Sequence, residues 1–278
     1  MGNNQNKQLS KDGQRIQEAL TSGEFTAGGR MRKIFQRIPS EQRCTICNAP
    51  FEGLGGSLMK VAFNKYPSNY SPKVCNTCFD VIRNEQIGAE TEVSFLFADV
   101  RGSTSLAEGM NSVEFSQLIN RFYKASTHVL IQSDAIIDKL IGDEVAAFYL
   151  PSFVGIDHAL KSINAAKELL KVTGHDDRDG PWIPVGVGVH TGVAWIGAVG
   201  SSEQVTDITA LGDSVNVAAR LASMAGTGEI LISDEAFNQA GLPRLGLSER
   251  LLELKGKSEP TRVWSTREEN PLNQTIIK

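Results

Sequence analysis

The stretch Ile136-Ile137-Asp138-Lys139-Leu140-Ile141-Gly142-Asp143-Glu144-Val145-Ala146-Ala147-Phe148 decides the fold, because two apolar, β-favouring runs flank a short Gly-Asp-Glu break. Two strands joined by a tight turn follow from it, with Gly142 free of the Cβ penalty and Asp143 carried at the exposed tip. Paired strands hold such a carboxylate rigidly, as a metal or phosphate site requires. Gly-Asp is also an ordinary turn dipeptide, so the stretch gains chemical meaning only from its surroundings.

Upstream, Glu92-Val93-Ser94-Phe95-Leu96-Phe97-Ala98-Asp99-Val100 reads as a buried strand ending in a carboxylate. After Arg101-Gly102-Ser103-Thr104 a helical pattern begins: Asn111 and Glu114 have capping-box spacing, and Leu118, Ile119, Phe122, Val129 and Leu130 recur on one face. Downstream, Ile156, Leu160, Ile163, the stem of Lys167 and Leu170 mark a second amphipathic helix. Val185 to His190 and Val193 to Gly197 alternate as a strand pair turning at Thr191-Gly192. Residues 213–224 are helical, Glu229-Ile230-Leu231-Ile232 is a short strand, Ser233 caps a brief helix, and Thr261-Arg262-Val263-Trp264 reads as a terminal edge strand. This order predicts an α+β fold with a mostly antiparallel sheet and flanking helices.

At 278 residues, with 41% apolar side chains, the chain has room for one catalytic domain and a smaller attachment. A net charge of only −4 gives no general drive toward nucleic acid or an anionic membrane. The longest uncharged run, 181–202, is interrupted by repeated Gly, Pro184 and His190, so no integral membrane segment is expected. The start Met1-Gly2-Asn3-Asn4-Gln5-Asn6 lacks an apolar signal core and the Ser or Thr that myristoylation needs at the sixth position, which makes a cytoplasmic location the expectation. Residues 1–40 are polar, with weak helical periodicity at Ile16, Leu20, Met31, Ile34 and Phe35, and read as a flexible or helical tail.

The four cysteines form two identical knuckles, Cys44-Thr45-Ile46-Cys47 and Cys75-Asn76-Thr77-Cys78, with 27 residues between them. Two such knuckles supply the four soft ligands of a tetrahedral structural zinc site. An iron-sulfur cluster, a redox-active dithiol and two plain reduced pairs are the competing readings. The segment 41–88 is thus a small cysteine-rich module, with Phe51, Leu54, Leu58, Val61 and Phe63 expected to form its core. The catalytic domain is placed at 90–266 and a C-terminal tail at 267–278.

Asp99 at a strand end and Asp143 at a hairpin tip are the best carboxylates for divalent metal, because neighbouring strands bring both to one edge of a sheet, and hard oxygen ligands suit magnesium or manganese. Read alone, Asp99 is equally an N-cap, and the free N–H groups at the helix start that Arg101-Gly102-Ser103-Thr104 leads into can donate to a triphosphate. Together with Phe97-Ala98-Asp99-Val100-Arg101-Gly102-Ser103-Thr104, the matches Lys139-Leu140-Ile141-Gly142-Asp143, His190-Thr191-Gly192 and Leu211-Gly212-Asp213-Ser214-Val215-Asn216-Val217-Ala218-Ala219-Arg220 resemble the class III nucleotidyl cyclases.

The resemblance covers about residues 90–265 and implies that family's ferredoxin-like fold and head-to-tail pairing of two catalytic domains. It makes Asp99 and Asp143 ligands of two magnesium or manganese ions, with the backbone of Val100 assisting and Arg101, Gly102, Ser103 and Thr104 binding substrate phosphate. It makes Lys139 a purine contact, and a cationic donor suits N1 of adenine, whereas guanine needs an acceptor there. Thr209 falls where many adenylyl cyclases have Asp as the second purine contact, which is a departure. Asn216 and Arg220, i and i+4 on one helix, are implied to position ribose and neutralise the transferring phosphate, and Lys255 to bind the triphosphate. His190 reads as a structural imidazole rather than a general base.

The leading expectation is an adenylyl cyclase that converts ATP to cyclic AMP and pyrophosphate at a homodimer interface. Guanylyl cyclase is the alternative, and a catalytically idle nucleotide-binding regulatory module is a third reading. A zinc-dependent nucleic-acid binder has only Lys60, Lys65, Lys73 and Tyr66 in its favour, so no nucleic-acid partner is expected.

Overall fold

The computed structural model describes residues 9–22, 30–40, 42–68, 74–200 and 206–266, so the tail expected over 267–278 lies outside the described residues. In chain order, helices α1 (Lys11–Ser22), α2 (Arg30–Gln36), α3 (Gly53–Phe63) and α4 (Asn76–Glu85) precede strand β1 (Gly88–Val100). Next come α5 (Ser103–Glu108), α6 (Ser112–Gln132), the hairpin β2 (Ile136–Ile141) and β3 (Glu144–Tyr149), α7 (Pro151–Val154) and α8 (His158–Val172). Strands β4 (Val185–Gly200) and β5 (Thr206–Leu211), helix α9 (Asp213–Met224), β6 (Ile230–Ser233), α10 (Asp234–Gln239), β7 (Ser248–Leu252) and β8 (Thr261–Ser265) complete the fold. Among the described residues eight strands follow the order β2-β3-β1-β4-β6-β8-β7, with β5 pairing β4 off this path. Strand β3 pairs antiparallel with both β1 and β2, as does β5 with β4 and β8 with both β6 and β7. Strand β6 instead lies parallel to β4, and helix α9 makes the crossover that such pairing needs. The α+β architecture read from the sequence is the one observed.

Two compact units divide the chain. The first holds residues 1–91, 150–155 and 193–211. Its α1 buries Ile16, Ala19 and Leu20, and the Ser10 N–H just before that helix donates to the Glu85 carboxylate at 3.0 Å. Phe35 of α2 is buried and meets the Phe63 ring edge-on, with centroids 5.6 Å apart. The spacer between the cysteine knuckles contains a helix, α3, and it does not build the expected apolar core. Leu54 is 93% exposed and Val61 87%, and Leu58 and Phe63 are exposed too. Gly55, Gly56 and Met59 are buried in their place. A Cβ on Gly55 would lie 2.6 Å from Ile38, and one on Gly56 would lie 2.3 Å from the Phe51 carbonyl oxygen, so close backbone packing replaces side-chain burial.

The second unit holds residues 92–149, 156–192 and 212–278. Residues 93–98 of β1 are all buried, the pattern of a strand covered on both faces. Phe95 meets Phe148 edge to face at 6.4 Å, and Phe122, Leu130, Ile163 and Leu169 add fully buried side chains from α6 and α8. The capping box forms as expected: the Asn111 side chain accepts the Val113 and Glu114 N–H groups, and Glu114 accepts the Asn111 N–H. The anticipated turn at Thr191-Gly192 is absent. Strand β4 runs unbroken through it, because Gly192 serves close packing: a Cβ there would lie 2.5 Å from the Ser214 hydroxyl. The strand over 261–265 is not an edge either, since β7 pairs along its outer side. Helix α9 packs through Val217 and Leu221 on Leu231, Leu252, Leu254 and Val263, which fixes its outward face.

Candidate functional site

The β2–β3 turn places Gly142 at φ +62 and leaves Asp143 half-buried beside it. Two hydrogen bonds pin this turn: Val100 N–H donates to the Asp143 carbonyl at 3.1 Å, and the Tyr123 hydroxyl donates to the Gly142 carbonyl at 2.8 Å. Register pairs Asp99 with Glu144 across β1 and β3. Asp99, Asp143 and Glu144 thus converge at one end of the strands, as the sequence leads one to expect for the two aspartates.

Among the described residues, Arg101 is the cation in direct contact with these acids. Its guanidinium forms an ion pair with Asp99, its Nη1 donates to the Ser223 carbonyl at 2.6 Å, and its backbone N–H donates to the Pro184 carbonyl at 2.8 Å. Burial pushes the Asp99 carboxyl up, Arg101 pulls it back, and Asp143 adds to the upward push. Glu144 is pushed up to about 7, first by burial and then by the charges of Asp99 and Asp143. Burial, with a contribution from Asp143, also raises the Tyr123 phenol. Three carboxyl groups crowd here against one guanidinium, and the donor set of hard oxygens fits a divalent cation.

A β-bulge at Asp138 interrupts the β2–β3 register between Ile137, which pairs Ala147, and Lys139, which pairs Ala146. Directly opposed residues share a face of the sheet, and Ala146 itself opposes Phe97, so Lys139 lies on the face that carries Asp99 and Glu144. Among the described residues Lys139 makes no ion pair. Gly102 caps α5 in the left-handed conformation at φ +67 and Ser103 and Thr104 open that helix, so Asp99 is not its N-cap.

A second group forms around α9. Asn216 is exposed and Arg220 half-buried, one helical turn apart, and a Cβ on Gly256 would lie 3.6 Å from the Arg220 guanidinium. Lys257 forms an ion pair with Asp213 at the start of α9, which leaves the exposed Lys255 as the uncommitted cation of that turn. Thr209 belongs to the first unit. It sits on β5 opposite Gly197, 4% exposed, and its hydroxyl has no hydrogen-bond partner among the described residues. His190 is buried with Nδ1 2.9 Å from the Ser233 hydroxyl, a satisfied structural imidazole.

Sequence reasoning passed over Glu144, Tyr123 and the Asp213–Lys257 pair. The adjacent acids of the Gly-Asp-Glu turn are a visible signal for Glu144. Nothing local marks the other two, since the contacts of Tyr123 and Lys257 are 19 and 44 residues away in the chain.

The four cysteines, in the first unit, come together. Their sulfurs all lie within 4.8 Å of one another, none is in a disulfide, and Cys44 and Cys75 are fully buried. The Cys75 N–H points at the Cys44 sulfur at 3.3 Å, and the Cys78 N–H at the Cys75 sulfur at 3.5 Å. Hydrogen bonds from Cys44, then Cys47 and Cys78, hold the Cys75 thiol far below the ordinary thiol range, while burial drives Cys44 well above it.

Comparison with known proteins bears on the second unit above all. Residues 85–264 match the model of the adenylate and guanylate cyclase catalytic domain. An adenylate cyclase of Anabaena cylindrica is 28% identical over 201 residues, which cover 67% of this chain and 39% of that protein. Adenylate cyclase 1 of Rhizobium meliloti is 30% identical over 138 residues, covering 48% and 21%. The chain therefore spans well under half the length of these relatives. Among solved structures, a guanylyl cyclase superposes with TM-score 0.59 at 25% identity over 67% of this chain and 97% of its own. The adenylyl cyclase CyaB from P. aeruginosa gives TM-score 0.57 at 25% identity, over 66% and 97%.

Proposed function

Because the chain belongs to the family of adenylate and guanylate cyclase catalytic domains, we propose that it is an adenylyl cyclase that converts ATP to 3′,5′-cyclic AMP and pyrophosphate in a homodimer. Overall likeness does not choose the base, since an adenylyl and a guanylyl cyclase resemble it at equal identity. The observation that carries ATP is Lys139, an uncommitted ammonium on the face of the sheet that bears Asp99. Its N–H groups match the N1 acceptor of adenine and meet a like donor in guanine. By the same resemblance Thr209 is the second base contact, since a threonine hydroxyl can accept from the adenine amino group.

Asp99 and Asp143 would hold two magnesium or manganese ions, which the convergence of three carboxyl groups favours. When bound, such ions lower the pKa of the ribose 3′-hydroxyl and offset triphosphate charge. The chain's own residues orient the substrate. The N–H groups over 101–104 and Lys255 receive phosphate oxygens, Asn216 fixes the ribose, and Arg220 meets charge that grows as the 3′-oxygen attacks the α-phosphorus and pyrophosphate leaves. The grouping of Asn216, Arg220 and Lys255 apart from the carboxylates supports a site completed by a second copy, each chain lending one group. In this reading residues 90–266 form the catalytic domain, and the cysteine module over 41–88 holds a structural zinc ion outside the cyclase chemistry.

Incubating the purified chain with ATP or GTP and each metal, with chromatography of the products, tests the proposal. Cyclic AMP is expected, with a higher kcat/KM for ATP than for GTP. Lys139→Glu should move that ratio toward GTP without loss of thermal stability, because the position is partly exposed. A wild-type preference for GTP would overturn the base assignment.

A further inference from the structure

The cysteine cluster lies outside the cyclase chemistry, and its geometry says more than that a metal fits. We propose that Cys44, Cys47, Cys75 and Cys78 bind a single zinc ion, and that Lys65 is an outer partner of this site, holding its ammonium against the Cys75 sulfur to offset the negative charge of four thiolates. The inference rests on reading the cluster as a metal site and deepens it by fixing nuclearity and naming a residue that no ligand motif contains.

Nuclearity follows from spacing. Four sulfurs at about 2.3 Å from one zinc ion stand at tetrahedron edges of about 3.8 Å. Cys47 and Cys75, one from each knuckle, are 3.7 Å apart, and no two of the four sulfurs are more than 4.8 Å apart. A cluster of two or four irons interposes iron and sulfide between the cysteine pairs and spreads them beyond such contacts. The 3.7 Å separation is also far beyond the disulfide bond length of about 2.0 Å. The N–H groups of Cys75 and Cys78 already point at sulfur, as they would to stabilise thiolates.

Charge completes the argument. Four thiolates around one divalent ion leave a formal surplus of two negative charges in a pocket where Cys44 and Cys75 are fully buried. The Lys65 ammonium lies 3.8 Å from the Cys75 sulfur. Its place is fixed from both sides, by its own N–H on the Met59 carbonyl at 3.0 Å and by the Tyr66 N–H on the Asn76 side chain at 3.1 Å.

The test uses the full chain purified without added metal, as wild type, Lys65→Met and Lys65→Arg, with elemental analysis and the competition of a chromogenic chelator for metal. Near one zinc per wild-type chain, with Lys65→Met weakening zinc binding roughly 10- to 100-fold and Lys65→Arg retaining most of it, is the expected result. Circular dichroism of the zinc-loaded variants separates this from misfolding. Two or more irons per chain with sulfide and visible absorption would overturn the single-ion geometry, and a folded, metal-free wild type would overturn the metal reading altogether. Stoichiometric zinc held equally by Lys65→Met would overturn the role of Lys65 alone.

Discussion

Complementation between two inactive chains tests the composite site most directly. Asp99→Ala removes a proposed metal carboxylate and Arg220→Ala removes the cation of the α9 group; the loss of the latter should cost roughly 10²- to 10³-fold in kcat. In the proposed dimer the two lesions fall in different half-sites of one chain. Arg101 joins the carboxylate group to the C-terminal end of α9 through the Ser223 carbonyl. Arg220 and Asn216 lie three and seven residues back along that helix, about 4.5 and 10.5 Å along its axis, and the Gly256 turn lies against the Arg220 guanidinium. In a mixed dimer one site therefore carries both lesions and the other carries none. Random assortment makes about half of the dimers mixed, each with one of two sites intact, so an equimolar mixture should recover about one quarter of wild-type activity per chain. The assay is cyclic AMP production after subunit exchange, with native mass spectrometry to count the mixed species. Mixed dimers that form in that proportion and stay at the background of the single variants would refute the reasoning.

Gly188 on β4 tests how α9 is held: a Cβ there would lie 2.3 Å from the Ala222 backbone nitrogen and 2.6 Å from the Ala218 carbonyl oxygen, so Gly188→Ala should destabilise by about 1–3 kcal/mol or more and lower activity by displacing Asn216 and Arg220. A chemical denaturation curve checks the first part and a kcat measurement the second. Acid sensitivity should follow from His158 and His190, both shifted down by burial, with Glu92 and Asp157 opposing the shift at His158 and Glu235 and Asp213 opposing it at His190. The unfolded chain takes up their protons near 6.5 while the folded chain still resists, so their contribution to stability is full above that value and is lost as the pH falls below it. Glu144, pushed up to about 7, acts in the opposite sense over the same range, so the check is differential: His158→Gln, which keeps a partner for the Ser94 hydroxyl, should lose less Tm than wild type between about pH 7.5 and about pH 5.5.

What could be read in the sequence was written in local chemistry. The capping box of Asn111 and Glu114 needs only four residues to declare itself, and the hairpin needs only Gly142 between two β-favouring runs. The C-x2-C knuckles likewise announce a convergence of sulfurs that the fold carries out. Glycine was the ambiguous letter. Gly142 makes a turn, whereas Gly192 admits a neighbouring serine in an unbroken strand and Gly55 and Gly56 let a helix sit close to the chain beneath it; one residue type serves both needs, and only the neighbours tell them apart. Strand β7 escaped because Ser248, Glu249 and Arg250 look like solvated loop, and its pairing with β8 is a tertiary fact. Strand β2 shows the same limit. Counting alternation back along β2 from the turn would place Ile137 and Lys139 on one face, yet the bulge at Asp138 pairs them with adjacent residues of β3, Ala147 and Ala146, which point to opposite faces. One extra residue in the ladder therefore moves Ile137 off the face that carries Asp99, whereas the unshifted register from the turn, Ile141 on Glu144 and Lys139 on Ala146, keeps the lysine on that face.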